Sequence, residues 1–95
     1  MTHPARNPSE IRHRSTLVSL SILLSLQPGT RTGTAEIQQR LAERGLPVSL
    51  RTVQRHLIDL SAVLPIEADG ERPQGWRWAK TPEASTLSRL VGGAA

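Results

Sequence analysis

Apolar residues in the first third of the chain fall into two sets at helical spacing. Leu17, Leu20 and Leu24 share one face, while Ile11, Val18 and Ile22 lie about 120° away at 100° per residue. The pattern predicts a helix from Ser9, an N-cap with Glu10 in its first turn, to Leu26, just before the Pro28-Gly29 stop. A helix with two apolar stripes is buried on two sides. One stripe faces the core. The other is left for a partner chain, a later hairpin or the C-terminal tail. For self-pairing the candidate faces are Ile11, Val18 and Ile22, or that tail.

The stretch Gly29 to Gly33 reads as a loop, followed by a second helix over 35–44. Thr34 is its expected N-cap, Ile37 and Leu41 mark its buried face, and Gly45 ends it. After the connector Leu46-Pro47-Val48, Ser49 is the N-cap of a third helix over 50–63, closed by Pro65. Within it Leu50, Val53, Leu57, Leu60 and Leu64 fall in an arc of about 80°. That arc is the expected buried face. The opposite side holds Arg51, Thr52, Arg55 and Asp59, with Gln54 and His56 on the flanks.

The period then changes from helical to alternating. Ile66 and Ala68 alternate with Glu67 and Asp69, Asp69-Gly70 signals a turn, and Trp76 to Ala79 alternates again. Two short strands joined by a polar loop form a hairpin, with Trp76 and Trp78 on its core side. The pattern divides the chain into an arm at 1–8, a folded domain at 9–80 and a tail at 81–95 with a short helix at 83–91. The fold class is mainly α with a small β-hairpin: three helices plus a two-stranded wing, the layout of a winged helix-turn-helix.

Composition narrows the chemistry. Ninety-five residues suffice for one modest core, and with no Phe or Tyr that core is aliphatic apart from two Trp. With no Cys, and with His3, His13 and His56 scattered, no metal-ligand spacing arises. No phosphate-binding glycine loop and no Ser-His-Asp arrangement marks an enzyme, and no cofactor is expected. The run from Leu17 to Leu26 follows basic residues as in a signal peptide, but three Ser interrupt it and no good cleavage site follows. It is also too short to span a bilayer. A cytoplasmic location is expected.

The net charge is +4, and eleven of the twelve basic residues are Arg, which suits forked contacts to phosphates and guanine edges. In a helix-turn-helix the second helix of the pair enters the major groove of duplex DNA, its N-terminal residues at base edges. Arg51, Thr52, Gln54 and Arg55 stand in that position, and free N–H groups after Ser49 add a phosphate site. The bland alternative is that Arg51 and Arg55 are solvated or pair with Asp59. Arg31, just before the second helix, is a candidate phosphate contact. Arg40 and Arg44 are expected to face solvent. In the hairpin loop Arg72 is either a backbone contact or a plain turn residue, and Asp69 and Glu71 would repel phosphate.

The run Val48-Ser49-Leu50-Arg51-Thr52-Val53-Gln54-Arg55-His56-Leu57, with Leu60-Ser61 and Pro65-Ile66, resembles the N-terminal winged helix of WYL-domain transcriptional regulators. More broadly it is similar to DeoR-like repressors. The likeness covers residues 15–80 and rests on R-T-x-x-R, on Thr34-Ala35-Glu36-Ile37 with Leu41, and on Gly75-Trp76-Arg77-Trp78 as wing. It implies DNA contacts at Arg51, Thr52 and Arg55. His56 stands where that family commonly has Asp. Nothing after the wing resembles a WYL ligand-sensing domain, so no effector role carries over; the chain is either a short relative or the DNA-reading part of something longer. The expected activity is sequence-specific binding of double-stranded DNA in transcriptional regulation, as a repressor. Two alternatives stand beside it: a protein-interaction winged helix, and an accessory factor for phage or plasmid DNA maintenance.

Overall fold

The computed structural model describes residues 8–92. The chain runs α1 (Pro8–Ser25), β1 (Thr32–Gly33), α2 (Thr34–Glu43), α3 (Leu50–Ser61), β2 (Ile66–Ala68), β3 (Gly75–Trp78) and α4 (Pro82–Gly92). It is mainly helical, with a small antiparallel sheet in the order β1-β3-β2. The loop expected before α2 contains the third strand: Thr32 pairs with Trp76, and Gly33 with Gly75. Two residues are too few for the alternation by which a strand is recognised. The expected arm lies outside the described residues, apart from Pro8, which begins α1.

The stripe of α1 proposed for self-pairing is the one that the structure buries in the core. Val18 and Ile22 lie in the core with Leu23 and Leu26, whereas Leu17, Leu20 and Leu24 are exposed. The side chain of Ile11 is outside the described residues. Ser21 and Ser25 share the buried face, and Ser25 Oγ donates to Ser21 O at 2.8 Å, which satisfies the hydroxyl within its own helix. Counting only large apolar residues therefore misplaces the face: small hydroxyl side chains admit the neighbouring helices, and the bulkier leucines are left outside.

The carbonyls where α1 ends, at Ser25 and at Leu26 just after it, are met from three other elements. Arg40 Nη1 donates to Ser25 O at 2.7 Å, Thr32 Oγ1 to the same oxygen at 3.5 Å, and Trp78 Nε1 to Leu26 O at 3.2 Å. Arg40, expected in solvent, thus joins α2 to the end of α1, where a cation also suits the helix dipole. It pairs with Glu36 one turn back as well.

At the start of α2 the N-cap is Gly33, not Thr34. Thr34 is buried as the first helical residue, and its N–H and hydroxyl each donate to Gln74 O at 3.1 Å. Gly45, at φ 80°, ends the helix in a Schellman arrangement: Leu46 N donates to Leu41 O at 2.9 Å and Gly45 N to Ala42 O at 3.0 Å. α3 is shorter than expected, so Val63 lies beyond it and is exposed.

Residues 81–92 are more than a tail. Thr81 Oγ1 accepts from Ala84 N at 3.1 Å, Pro82 occupies the first turn, and α4 packs on α1 and β3. Ala84 is fully buried. The two tryptophans face inward as the alternation predicts, but their indoles differ. Trp78 Nε1 is bonded to Leu26 O, whereas Trp76 Nε1 is buried without a partner among the described residues. Trp78→Phe abandons a buried bond and leaves Leu26 O, just past the end of α1, short of a donor, a penalty of about 1–3 kcal/mol beyond the lost ring volume. Trp76→Phe removes a donor that was already unsatisfied. Denaturant melts should therefore show the larger loss for Trp78→Phe; equal losses would contradict the bonding described.

Candidate nucleic-acid interface

The orientation of α3 follows from its two fully buried residues, Val53 and Leu57. Leu60 and Leu64 pack against the same core at partial exposure. Leu50 departs from the expected arc: at the first helical position it is 40% exposed. With Val53 and Leu57 turned inward, Arg51 and Arg55 are exposed on the other side, and Thr52 and Gln54 are half-buried at its edges.

Neither Arg51 nor Arg55 forms an ion pair among the described residues, so the expected alternative of pairing with Asp59 is not realised. Two guanidinium groups one helical turn apart remain open to a ligand. Ser49 caps the helix as predicted: its Oγ accepts from Thr52 N at 3.1 Å and donates to Thr52 Oγ1 at 2.9 Å. The first helical hydrogen bond runs from Val53 N to Ser49 O at 3.1 Å, which leaves the N–H groups of Leu50 and Arg51 open at the helix start. Ser49, Arg51, Thr52, Gln54 and Arg55 are thus gathered on the first turns of one helix. Ile58, 59% exposed, lies on the same face and was missed because its apolar character gives no polar signal.

His56 was expected on a flank and forms a contact between helices instead. Its Nδ1 and Ser19 Oγ of α1 share a hydrogen bond of 2.9 Å. Beside it a cavity of about 240 Å³ is lined by Ser15, Thr52, Arg55, His56 and Asp59. Burial pushes the His56 pKa below its ordinary value; Asp59 pulls it up and Arg55 pushes it further down. Nearby, Arg14 Nη2 of α1 donates to Pro47 O at 3.2 Å, which braces the connector between α2 and α3.

Arg31 and Arg72 belong to a second cluster at the hairpin loop. Arg72 is exposed and has no ion pair among the described residues. Arg31 does not stand as the free phosphate contact expected of it, because its guanidinium is paired with Asp69. Asp69, expected to repel phosphate at the surface, has a side chain only 2% exposed, and its charge faces Arg31. The signal was present in Asp69-Gly70: an Asp opening a turn uses its own carboxylate to hold the backbone two residues on. Arg77 lies across the strand pair from Glu67 and bonds it at 3.4 Å.

Among the described residues no group of three or more His, Asp or Glu gathers as a metal site, and no helix is long and apolar enough to cross a membrane. Comparison with protein-family models, curated proteins and solved structures finds no match to this chain.

The lowered pKa of His56 has a consequence for stability. On acidification the unfolded chain takes up the proton first, near the ordinary value of 6.5, while the folded ring resists it. Stability is therefore full above that value and falls as pH drops through it, levelling once the folded ring is also protonated. The melting temperature should decline from about pH 7.5 to pH 5, and His56→Gln should flatten that step. An identical decline in the variant would assign the effect to other groups.

Proposed function

We propose that this chain is a winged helix-turn-helix module that binds double-stranded DNA sequence-specifically as a transcriptional regulator. The observation that carries the reading is the pair of exposed, unpaired guanidiniums of Arg51 and Arg55 on the outer face of α3. α3 is the second helix of a tightly connected pair, followed by a hairpin, and helices so placed enter the major groove. Arg51 and Arg55 suit guanine edges or phosphates, Gln54 suits adenine, and Thr52 serves either. The open N–H groups after Ser49 suit a phosphate. Arg72 supplies the contact from the hairpin. The order of strands and helices agrees with this reading, and so does the resemblance to WYL-type and DeoR-like regulators, which rests on the same residues of α3.

Occupying a promoter would make the protein a repressor, acting in the cytoplasm. Two copies would set their α3 helices in successive grooves roughly 34 Å apart. The apolar face left for such pairing is Leu17, Leu20 and Leu24. One observation favours a second reading: Ile58 and Leu50 add exposed apolar surface to α3, as a protein-docking face would. Salt separates the two, since DNA binding through phosphates releases counterions and weakens steeply as salt rises.

Selection of bound sequences from random duplexes should recover one motif. Arg51→Ala with Arg55→Ala should keep the wild-type melting curve and lose about 1–3 kcal/mol of specific affinity for each bidentate base contact removed. A folded double variant that binds the selected duplex as well as wild type would overturn the assignment of α3.

A further inference from the structure

Arg31 does not offer its guanidinium to a ligand; it uses it to close the hairpin loop. Its Nε donates to Asp69 Oδ2 and its Nη2 to Pro73 O at 2.8 Å. The second carboxylate oxygen, Asp69 Oδ1, accepts from Glu71 N and Gly75 N, each at 3.0 Å. One buried carboxylate thus holds both ends of the loop, and one guanidinium reaches across from the residue before β1. The guanidinium lies so close to Gly75 that a β-carbon at that position would overlap it. Thr34 ties Gln74 O to the first turn of α2 as well. Arg72, the exposed cation of the loop, lies within this closed ring.

We infer that Arg31 and Asp69 form a clasp that fixes the hairpin loop, so that Arg72 is presented to a DNA phosphate already in place. Arg31 is then a positioning residue and not a contact. The inference rests on the DNA-binding reading for its purpose, while the clasp itself rests on the geometry. Its physical basis is preorganisation: a loop held in one shape before docking loses less conformational freedom on binding than a loose one. The neighbouring charges agree. Arg31 is balanced by Asp69, whereas Arg72 is balanced by no ion pair among the described residues. Burial alone would raise the Asp69 pKa, but the Arg31 hydrogen bond, the two backbone N–H donors and the Arg31 charge outweigh it and hold the carboxyl at about 2. The Asp69 carboxylate is therefore ionised throughout the neutral range.

The test uses the full chain as wild type, Arg31→Ala, Asp69→Asn, Arg72→Ala and the Arg31→Ala/Arg72→Ala double variant. Amide exchange at 70–75 is read on the free protein, and affinity and its salt dependence on a duplex selected by wild type. Arg31→Ala and Asp69→Asn should speed exchange of the loop amides by about tenfold while the helices stay protected. Arg72→Ala should lower the magnitude of the salt slope by about 1, Arg31→Ala should weaken binding with a smaller change of slope, and the double variant should bind no worse than Arg72→Ala alone. Unchanged loop exchange would overturn the clasp. Losses that multiply in the double variant would overturn the positioning role, because Arg31 would then act independently of Arg72. Wild-type protein that binds no duplex would overturn the DNA reading and the clasp's purpose with it, whereas the exchange result would still report on the clasp.

Discussion

The arrangement depends on the burial of Val53 and Leu57, because that burial sets which way α3 faces. Both are fully shielded from solvent. Rolling the helix to bring its guanidiniums inward would expose two aliphatic side chains, each worth about 1.5–3 kcal/mol when buried. A surface ion pair offers about 0–1 kcal/mol in return. The apolar term wins by a wide margin, so Arg51 and Arg55 are directed outward by residues that are themselves wholly buried. The Ser49 cap fixes where the helix begins, and the His56–Ser19 bond holds its flank to α1. The outward face is thus a consequence of the inward one.

The arginines divide into two roles. Arg40 and Arg31 are internal fastenings: the first meets an end carbonyl of α1, and the second closes the hairpin loop on Asp69. Arg51, Arg55 and Arg72 are exposed and form no ion pair among the described residues. A net charge of +4 says nothing about this division. The environment decides it: a cation next to an orphan carbonyl or a buried carboxylate is held, and one on a solvated face is free to act. The same division makes the hairpin and the start of α2 a single unit, since Thr34, Gln74, Arg31 and Asp69 bond across both.

Much of the fold was legible in the sequence where a strong period or a cap marked it. The phase of α3, the Ser49 cap, the Gly45 stop and the inward tryptophans all follow from local rules. Three things were hidden, each for a physical reason. The buried face of α1 carries Ser21 and Ser25, and hydroxyls that bond their own helix hide among polar residues when only large apolar side chains are counted. β1 is too short to show a period, and it exists because β3 offers it an edge. The roles of Arg31, Arg40 and His56 depend on partners 38, 15 and 37 residues away, and no local pattern reports a partner at that distance. The candidate site was legible to the extent that it lies on one helix, at Ser49, Arg51, Thr52, Gln54 and Arg55. At the hairpin the residues were visible, but the charge of Asp69 was placed on the wrong side of the surface.

In the proposed function, one face of α3, turned outward by its own core packing, meets duplex DNA. Its most direct test is amide chemical-shift mapping of the labelled chain during titration with a selected duplex. The largest shifts should fall at 49–55 and at 70–74, with the exposed leucine stripe of α1 unmoved by the DNA contact itself. Shifts confined to that stripe, with α3 silent at saturation, would contradict it.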